Sequence, residues 1–321
     1  MKTKGKSVNN KIGTDSENYE EYKASKLKNI NINNNLIYNN VSNNLQYGLE
    51  GNEIDKIKEV FSKSKNLKIE IISSSIGPQS SILIINPLGL ENGKRNIKDG
   101  ISYFGYEENI TNPTIDYLIN PRDKQIDERF KGKHFQIRFN PLDLKYYLKD
   151  LGHGFGTFIK IINSIEIKNN FLLNIGENYI VFTIGLEEDM ILNENFSNKN
   201  SEDSENILNV KIFSSDIKHG ILSFSPLKSP ITIGRSPNSD ILIDDNMLSR
   251  IHCTVQFING KWFIQDGSIN QNGEVRKSTN GTWIYAYEEV IIVDKMTFKA
   301  NHNLFICSYI DSNEKMENEV N

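Results

Sequence analysis

From Leu67 onward the chain is a succession of short apolar or alternating runs, and that pattern leaves few folds open. LKIEIISSS, SSILIINP, GISYFGY, IDYLIN, HFQIRF, KYYLKDL, GTFIKI, FLLNIG and NYIVFTIG follow one another, separated by Gly, Asn, Pro and Asp. Period-two alternation places side chains on the two faces of a strand, and breakers at this spacing separate strands rather than helices. The segment therefore reads as an all-β sandwich or barrel. A second series follows: ILNVKIF, HGILSFS, SPITIG, DILID, HCTVQF, KWFIQD, GTWIYA, EVIIVD, MTFKA and NLFICSYI. Between the two lies an acidic, polar stretch, residues 187–206, which reads as a linker.

The two series resemble each other. HFQIRF (His134–Phe139) matches HCTVQF (His252–Phe257), YYLKDLG (Tyr146–Gly152) matches WFIQDGS (Trp262–Ser268), and GFGTFIKI (Gly154–Ile161) matches TNGTWIYA (Thr279–Ala286). Each ends in an apolar strand, YIVFTIG or LFICSYI. A repeated sandwich is predicted, one copy over 66–186 and the other over 207–312. Residues 1–51 are rich in Asn and Lys and bury too little apolar surface to order themselves. Ile54, Ile57, Val60 and Phe61 fall at helical spacing behind Asn52 and Asp55, so 52–65 is predicted as a short amphipathic helix. The polar tail 313–321 is expected to be disordered.

Composition removes several functions. The 321 residues include 37 Lys and Arg against 41 Asp and Glu, a net charge of −4. That balance argues against general nucleic-acid binding, which needs a basic face. Cys253 and Cys307 each sit inside an apolar run and read as buried thiols, and two such residues build neither a disulfide framework nor a CxxC metal pair. The N-terminal MKTKGKSVNNKIG has no apolar core, and no run approaches the ~20 apolar residues that span a bilayer. An intracellular protein, nuclear or cytoplasmic, with no membrane association is expected. No Walker loop, GxSxG, HExxH or Cys/His zinc spacing occurs. No enzymatic activity, cofactor or metal is predicted.

Three polar clusters interrupt the second series: Gly234-Arg235, Ser249-Arg250-Ile251-His252 and Thr279-Asn280-Gly281-Thr282. They fall at strand ends or in loops, where a β-scaffold holds them at one edge. A phosphate there needs a fixed cation and neutral donors. Arg235 suits the cation role, because guanidinium is planar and always charged. Ser249 can offer hydroxyl and backbone N–H, Arg250 a second charge at the rim, and Asn280 an amide that both donates and accepts. His252 reads as a buried residue tying loops together, and Gly281 as a backbone requirement of an Asn-Gly turn.

In order and spacing these clusters resemble the forkhead-associated (FHA) domain, whose motif is a GR pair, then SxxH, then an NG close. The resemblance covers about Ile207 to Ile310. It implies a β-sandwich whose loops at one end bind phosphothreonine peptides, with Arg235, Ser249, Arg250, Thr279 and Asn280 as the binding set and Gly234, His252 and Gly281 as scaffold. The implied partner is a phosphothreonine-containing protein. Oligomeric state is not indicated.

The first series resembles the same family with its site altered. Tyr106 stands where Arg235 does, Lys131 opposite Ser249, Gly132 opposite Arg250 and Phe155 at the Asn280 position, while His134, Gly156 and Thr157 remain. This copy is not expected to bind phosphothreonine, because each lost charge-assisted bond costs about 1.5–3 kcal/mol. Lys131, Lys133 and Arg138 suggest a basic face for some acidic partner. The competing expectation is a phosphate-independent scaffold that docks through Tyr146, Tyr147, Phe155 and Phe158.

Overall fold

The structure is a computed structural model and describes residues 51–73, 80–108, 111–120, 128–185, 206–213, 220–270 and 272–312. The predicted N-terminal tail except Gly51, the predicted linker except Asn206, and the tail 313–321 lie outside the described residues. The described residues open on α1 (Gly51–Val60), which buries Ile57 completely and packs Val60 against the first core. The helix is shorter than predicted. It tightens into a 3-10 turn at Phe61–Lys63, and Ser64 Oγ donates to the Val60 carbonyl at 2.8 Å.

Apart from 3-10 turns at Glu128–Phe130 and Pro226–Lys228, the regular elements of the remainder are β, as the alternation predicts. The first series comprises β1 (Asn66–Ser73), β2 (Ser80–Asn86), β3 (Gly89–Leu90), β4 (Ile101–Tyr106), β5 (Tyr117–Leu118), β6 (Gly132–Asn140), β7 (Lys145–Asp150), β8 (Thr157–Lys160), β9 (Ile165–Glu166), β10 (Phe171–Ile175) and β11 (Asn178–Ile184). The second comprises β12 (Leu208–Phe213), β13 (Ile221–Phe224), β14 (Ile231–Gly234), β15 (Ile241–Leu242), β16 (Cys253–Ile258), β17 (Lys261–Asp266), β18 (Ser268–Ile269), β19 (Val275–Arg276), β20 (Trp283–Tyr285), β21 (Val290–Ile291), β22 (Thr297–Ala300) and β23 (Asn303–Ile310).

The two series do not close on themselves. One 11-stranded sheet runs β13-β12-β11-β10-β20-β8-β22-β23-β1-β2-β3. Its centre is the antiparallel pair β8·β20, with Ile159 opposite Ile284. Outward from there β10, β11, β12 and β13 have β22, β23, β1 and β2 as counterparts, and β3 adds one further strand on the first side. The hairpin β10–β11, from the first series, joins β20 and β12 of the second. The hairpin β22–β23, at the end of the chain, joins β8 and β1 of the first, with Leu67 opposite Tyr309. The smaller sheets repeat the exchange: β9 pairs with β17, and β21 with β7. The closing strands of the two halves are thus traded about an approximate two-fold axis between β8 and β20.

Two cores follow. The first gathers Leu67, Ile69, Phe104, Phe135, Ile137, Tyr146 and Leu148 with Ile292, Phe298, Phe305 and Cys307 from the far end of the chain. The second gathers Ile231, Ile233, Cys253, Val255, Trp262 and Ile264 with Ile167, Leu173, Ile175, Ile180 and Phe182 from the first series. Ile284, beside the axis, packs against both. Both cysteines are free and buried. Phe298 and Phe305 stack with ring centroids 4.7 Å apart, and Phe135 meets both edge-on. Tyr146 and Phe158, expected above as docking aromatics, are instead buried at 0% and 3% exposure. Tyr146 spends its hydroxyl on the Lys65 and Ile85 carbonyls.

Candidate functional site

The polar clusters of the second series meet at one edge of its sandwich. β14 ends at Gly234, where a side chain has no room: a methyl there would stand 2.3 Å from the Arg250 carbonyl oxygen. That close approach lets two loops strap together. Arg235 N–H donates to the Ser249 carbonyl at 3.1 Å, and Ser236 N–H and Ser239 Oγ both donate to the Arg250 carbonyl at 3.1 Å. Arg235 and Arg250 are exposed. Neither guanidinium has an ion pair among the described residues, so both are available to an anion.

Ser249 is oriented from behind. Its N–H donates to His252 Nδ1 at 3.2 Å. That nitrogen must then accept, so Nε2 carries the proton and donates to the Gly281 carbonyl at 3.0 Å. His252 is fully buried, and desolvation holds its pKa below the ordinary value, favouring this neutral ring. One histidine therefore fixes both the 247–249 loop and the 278–281 loop. Across the gap, Thr279 N–H donates to Ser249 Oγ at 3.0 Å and the two hydroxyls lie 3.3 Å apart. Asn280 Nδ2 donates to the Met247 carbonyl at 2.7 Å.

The 278–281 loop hangs on a residue that the motif reading did not single out. Asp266, 2% exposed, accepts from Ser278 Oγ at 2.6 Å, Ser278 N–H at 3.2 Å and Thr282 Oγ1 at 2.7 Å. Ser278 Oγ in turn accepts from Gly281 N–H at 2.9 Å, and Trp283 Nε1 donates to the Asn280 carbonyl at 3.1 Å. The only signal for Asp266 was its match to Asp150 in the repeat. The other loop has a support that no local pattern could reveal. Asp245 Oδ1 caps Met247 N–H at 2.7 Å, while its Oδ2 accepts from Asn178 Nδ2 at 2.7 Å and Glu177 N–H at 3.2 Å. Asn178 and Glu177 belong to the turn of the exchanged hairpin β10–β11.

The structure thus brings Ser249 and Thr279 into direct contact, ties Asn280 to the neighbouring Met247 carbonyl, sets Arg235 beside them through its backbone, and keeps Gly234, His252 and Gly281 in supporting positions. Such an edge supplies two guanidiniums without an ion pair among the described residues, two adjacent hydroxyls and an amide, a donor set suited to a phosphate group.

The matching edge of the first series is built differently. Gly105 repeats the close approach of Gly234, with a methyl there falling 2.1 Å from the Gly132 carbonyl oxygen. Beyond that the space is aromatic. Tyr106 lies 5.7 Å from Phe130, Phe130 lies 6.0 Å from Phe155, and Phe155 lies 5.8 Å from His302. His134 is turned to other partners, Nε2 to the Phe130 carbonyl at 2.5 Å and Nδ1 to Asn301 Nδ2 at 2.6 Å, and burial lowers its pKa to about 4. Of the three basic residues expected to form a face here, two are ion-paired and the third lies over a ring. Lys131 pairs with Glu108 at 3.1 Å and Glu128 at 2.9 Å, Arg138 pairs with Glu289, and Lys133 covers the Tyr103 ring.

Among the described residues no helix is long and apolar enough to cross a membrane, and no group of three or more His, Cys, Asp or Glu could hold a metal ion. No curated protein matches the chain. Among solved structures, the crystal structure of Mycobacterium tuberculosis Rv1747 FHA-1 aligns at 18% identity over 32% of this chain and 96% of that one, with a TM-score of 0.17. A structure described as a structural and functional analysis of phosphothreonine-dependent FHA domain interactions aligns at 16% identity over 29% of this chain and 88% of that one, with a TM-score of 0.15. Likenesses of that size leave the fold to be argued from the strand pairing. Residues 231–292, which run from β14 through the Ser249 and Asn280 loops to Ile292, match the FHA domain family.

Proposed function

We propose that the protein is an adaptor that binds phosphothreonine-containing partners through the edge formed by Arg235, Ser249, Arg250, Thr279 and Asn280. The observation that carries this is the convergence of the 247–249 and 278–281 loops on buried His252, with two guanidiniums that have no ion pair among the described residues beside paired hydroxyls. A phosphothreonine brings about −1.5 to −2 charge and three acceptor oxygens, which that donor set can meet. Bonds within the protein hold the loops that carry these groups close together before the ligand arrives.

The first series, over 66–186, is on this reading a degenerate copy of the same module as 207–312. It keeps the Gly105 contact and the buried histidine, while its aromatic filling displaces the phosphate site. Its role is structural or in protein docking, and a fold persists where its site is lost. A module of this kind is an interaction domain and needs no catalytic group.

Titration calorimetry of the intact chain with matched phosphorylated and unphosphorylated threonine peptides tests the proposal. Arg235→Ala should lower affinity for the phosphorylated form by at least about tenfold, since a bond to a charged group contributes about 1.5–3 kcal/mol. Equal binding of the two peptides, or undiminished affinity in Arg235→Ala, refutes it.

A further inference from the structure

The exchange of strands sets two lysines of the neighbouring half against the candidate pocket. Lys160, on β8, lies opposite Trp283 in the central strand pair, and its Nζ is 5.8 Å from that indole ring. Its stem crosses Gly281 so closely that a methyl there would stand 2.6 Å from Lys160 Cε. Lys299, on β22, approaches the same indole ring, at 4.7 Å. Its Nζ donates to Asn174 Oδ1 at 2.5 Å and lies 5.8 Å from the Phe158 ring. Neither ammonium has a carboxylate within ion-pair distance among the described residues. For Lys299 this is costly, because the side chain is largely withdrawn from water; burial alone lowers its pKa to about 8. An aromatic face attracts a cation only weakly and does not replace a counter-charge.

These lysines adjoin the pocket through shared neighbours. The Trp283 indole donates to the Asn280 carbonyl, and Gly281 follows Asn280 directly in the chain. An extended peptide advances ~3.3–3.6 Å per residue, so a side chain a few places from the phosphothreonine can reach this spot. We propose that Lys160 and Lys299, both facing the Trp283 ring, are specificity-determining residues that select an acidic side chain flanking the phosphothreonine. The selection rests on the phosphopeptide reading above. It also means that recognition is shared between the halves, since β8 comes from the first series and β22 pairs with it.

Fluorescence polarisation on the full chain tests the idea with three labelled phosphothreonine peptides, identical except for Asp, Ala or Lys on both flanks. The Asp peptide should bind about fivefold more tightly than the Ala peptide and the Lys peptide more weakly, with the spread shrinking as salt rises. Lys160→Gln should bring the Asp-to-Ala ratio towards one, and K160E should invert it. Lys299→Gln serves as the second variant, with thermal melts confirming that each protein is folded. Indifference of the wild type to flank charge, or an unchanged ratio in both lysine variants, overturns the proposal while phosphate dependence still stands. Equal binding of phosphorylated and unphosphorylated Ala peptides overturns the underlying phosphopeptide reading and this selection together.

Discussion

Residues 206–312 on their own should fail to fold, although they hold the whole of the FHA match. Of the nineteen buried residues in the second core, seven (Ile161, Ile167, Phe171, Leu173, Ile175, Ile180 and Phe182) come from the first series. Burying one such side chain contributes about 1.5–3 kcal/mol, so their removal withdraws roughly 10–20 kcal/mol, less a tenth to two-fifths for residual burial in the unfolded chain. A domain of this size is stable by about 5–15 kcal/mol in total. Cutting also strips β12 of β11, β20 of β10 and β17 of β9, leaving open edges that invite association. Circular dichroism melts and amide NMR spectra of the fragment should show no cooperative transition and little dispersion, against a sharp transition for residues 51–312. Co-expression with 51–185 should restore a folded, peptide-binding complex. A 206–312 fragment that melts cooperatively and binds a phosphothreonine peptide alone would refute the exchanged pairing.

Other perturbations probe the site and its supports. Asn178→Ala removes the 2.7 Å bond to Asp245 but leaves the Glu177 N–H in place. A loss of about 1.5–3 kcal/mol is expected locally, read as several-fold weaker phosphopeptide binding that is not additive with Asp245→Asn. Gly234→Ala would press a methyl against the Arg250 carbonyl oxygen, which is backbone and cannot give way, so calorimetry should show phosphopeptide binding at least as impaired as in Arg235→Ala. Asp150 is a pH probe. Its pKa is pushed up to about 6 by burial, partly offset by Tyr285 OH, Thr157 and Gly152 N–H. A folded value above the unfolded one means that this group's contribution to stability is fully present below about pH 4 and is lost as pH rises through 6, by about 3 kcal/mol. Asp150→Asn should flatten that decline in urea-melt stabilities and leave the protein no less stable at pH 7; an unchanged profile would contradict the assignment.

Most individual strands were legible in the sequence because each depends only on its own alternation and the breakers around it. HCTVQF and KWFIQD became β16 and β17 within a residue of their expected limits. Gly234-Arg235, Ser249 to His252 and Thr279 to Gly281 were legible for a similar reason: each is a local cluster, and the strands between fix its place. Which strand pairs with which was not legible. YIVFTIG and LFICSYI are both apolar closing strands that fit either sandwich, so hydrophobic pattern cannot distinguish exchange from simple closure. Asp245 with Asn178, and Gly281 with Lys160, escaped notice because their partners lie far apart in the chain and meet only across the exchanged boundary. The helix ran short of its expected end because the Ser64 hydroxyl bonds back to Val60 where the backbone is already turning into β1. The aromatic residues were the least informative. Tyr146 and Phe158 look identical in sequence whether they face a partner or the interior.

Leu67 lies opposite Tyr309, and that pairing has a consequence for the protein's synthesis. The first sandwich cannot be completed until nearly the last strand has left the ribosome, roughly 10–50 s after β1 at ordinary rates of translation. During that interval the nascent chain holds β1 paired with β2 on one edge and open on the other, and a hairpin, β10–β11, that waits for β12 and β20. Two polypeptides on one messenger would each offer the other the missing strands. Production in the cell is therefore exposed to crossed pairing between neighbouring nascent chains, a hazard that low expression or an early chaperone would suppress.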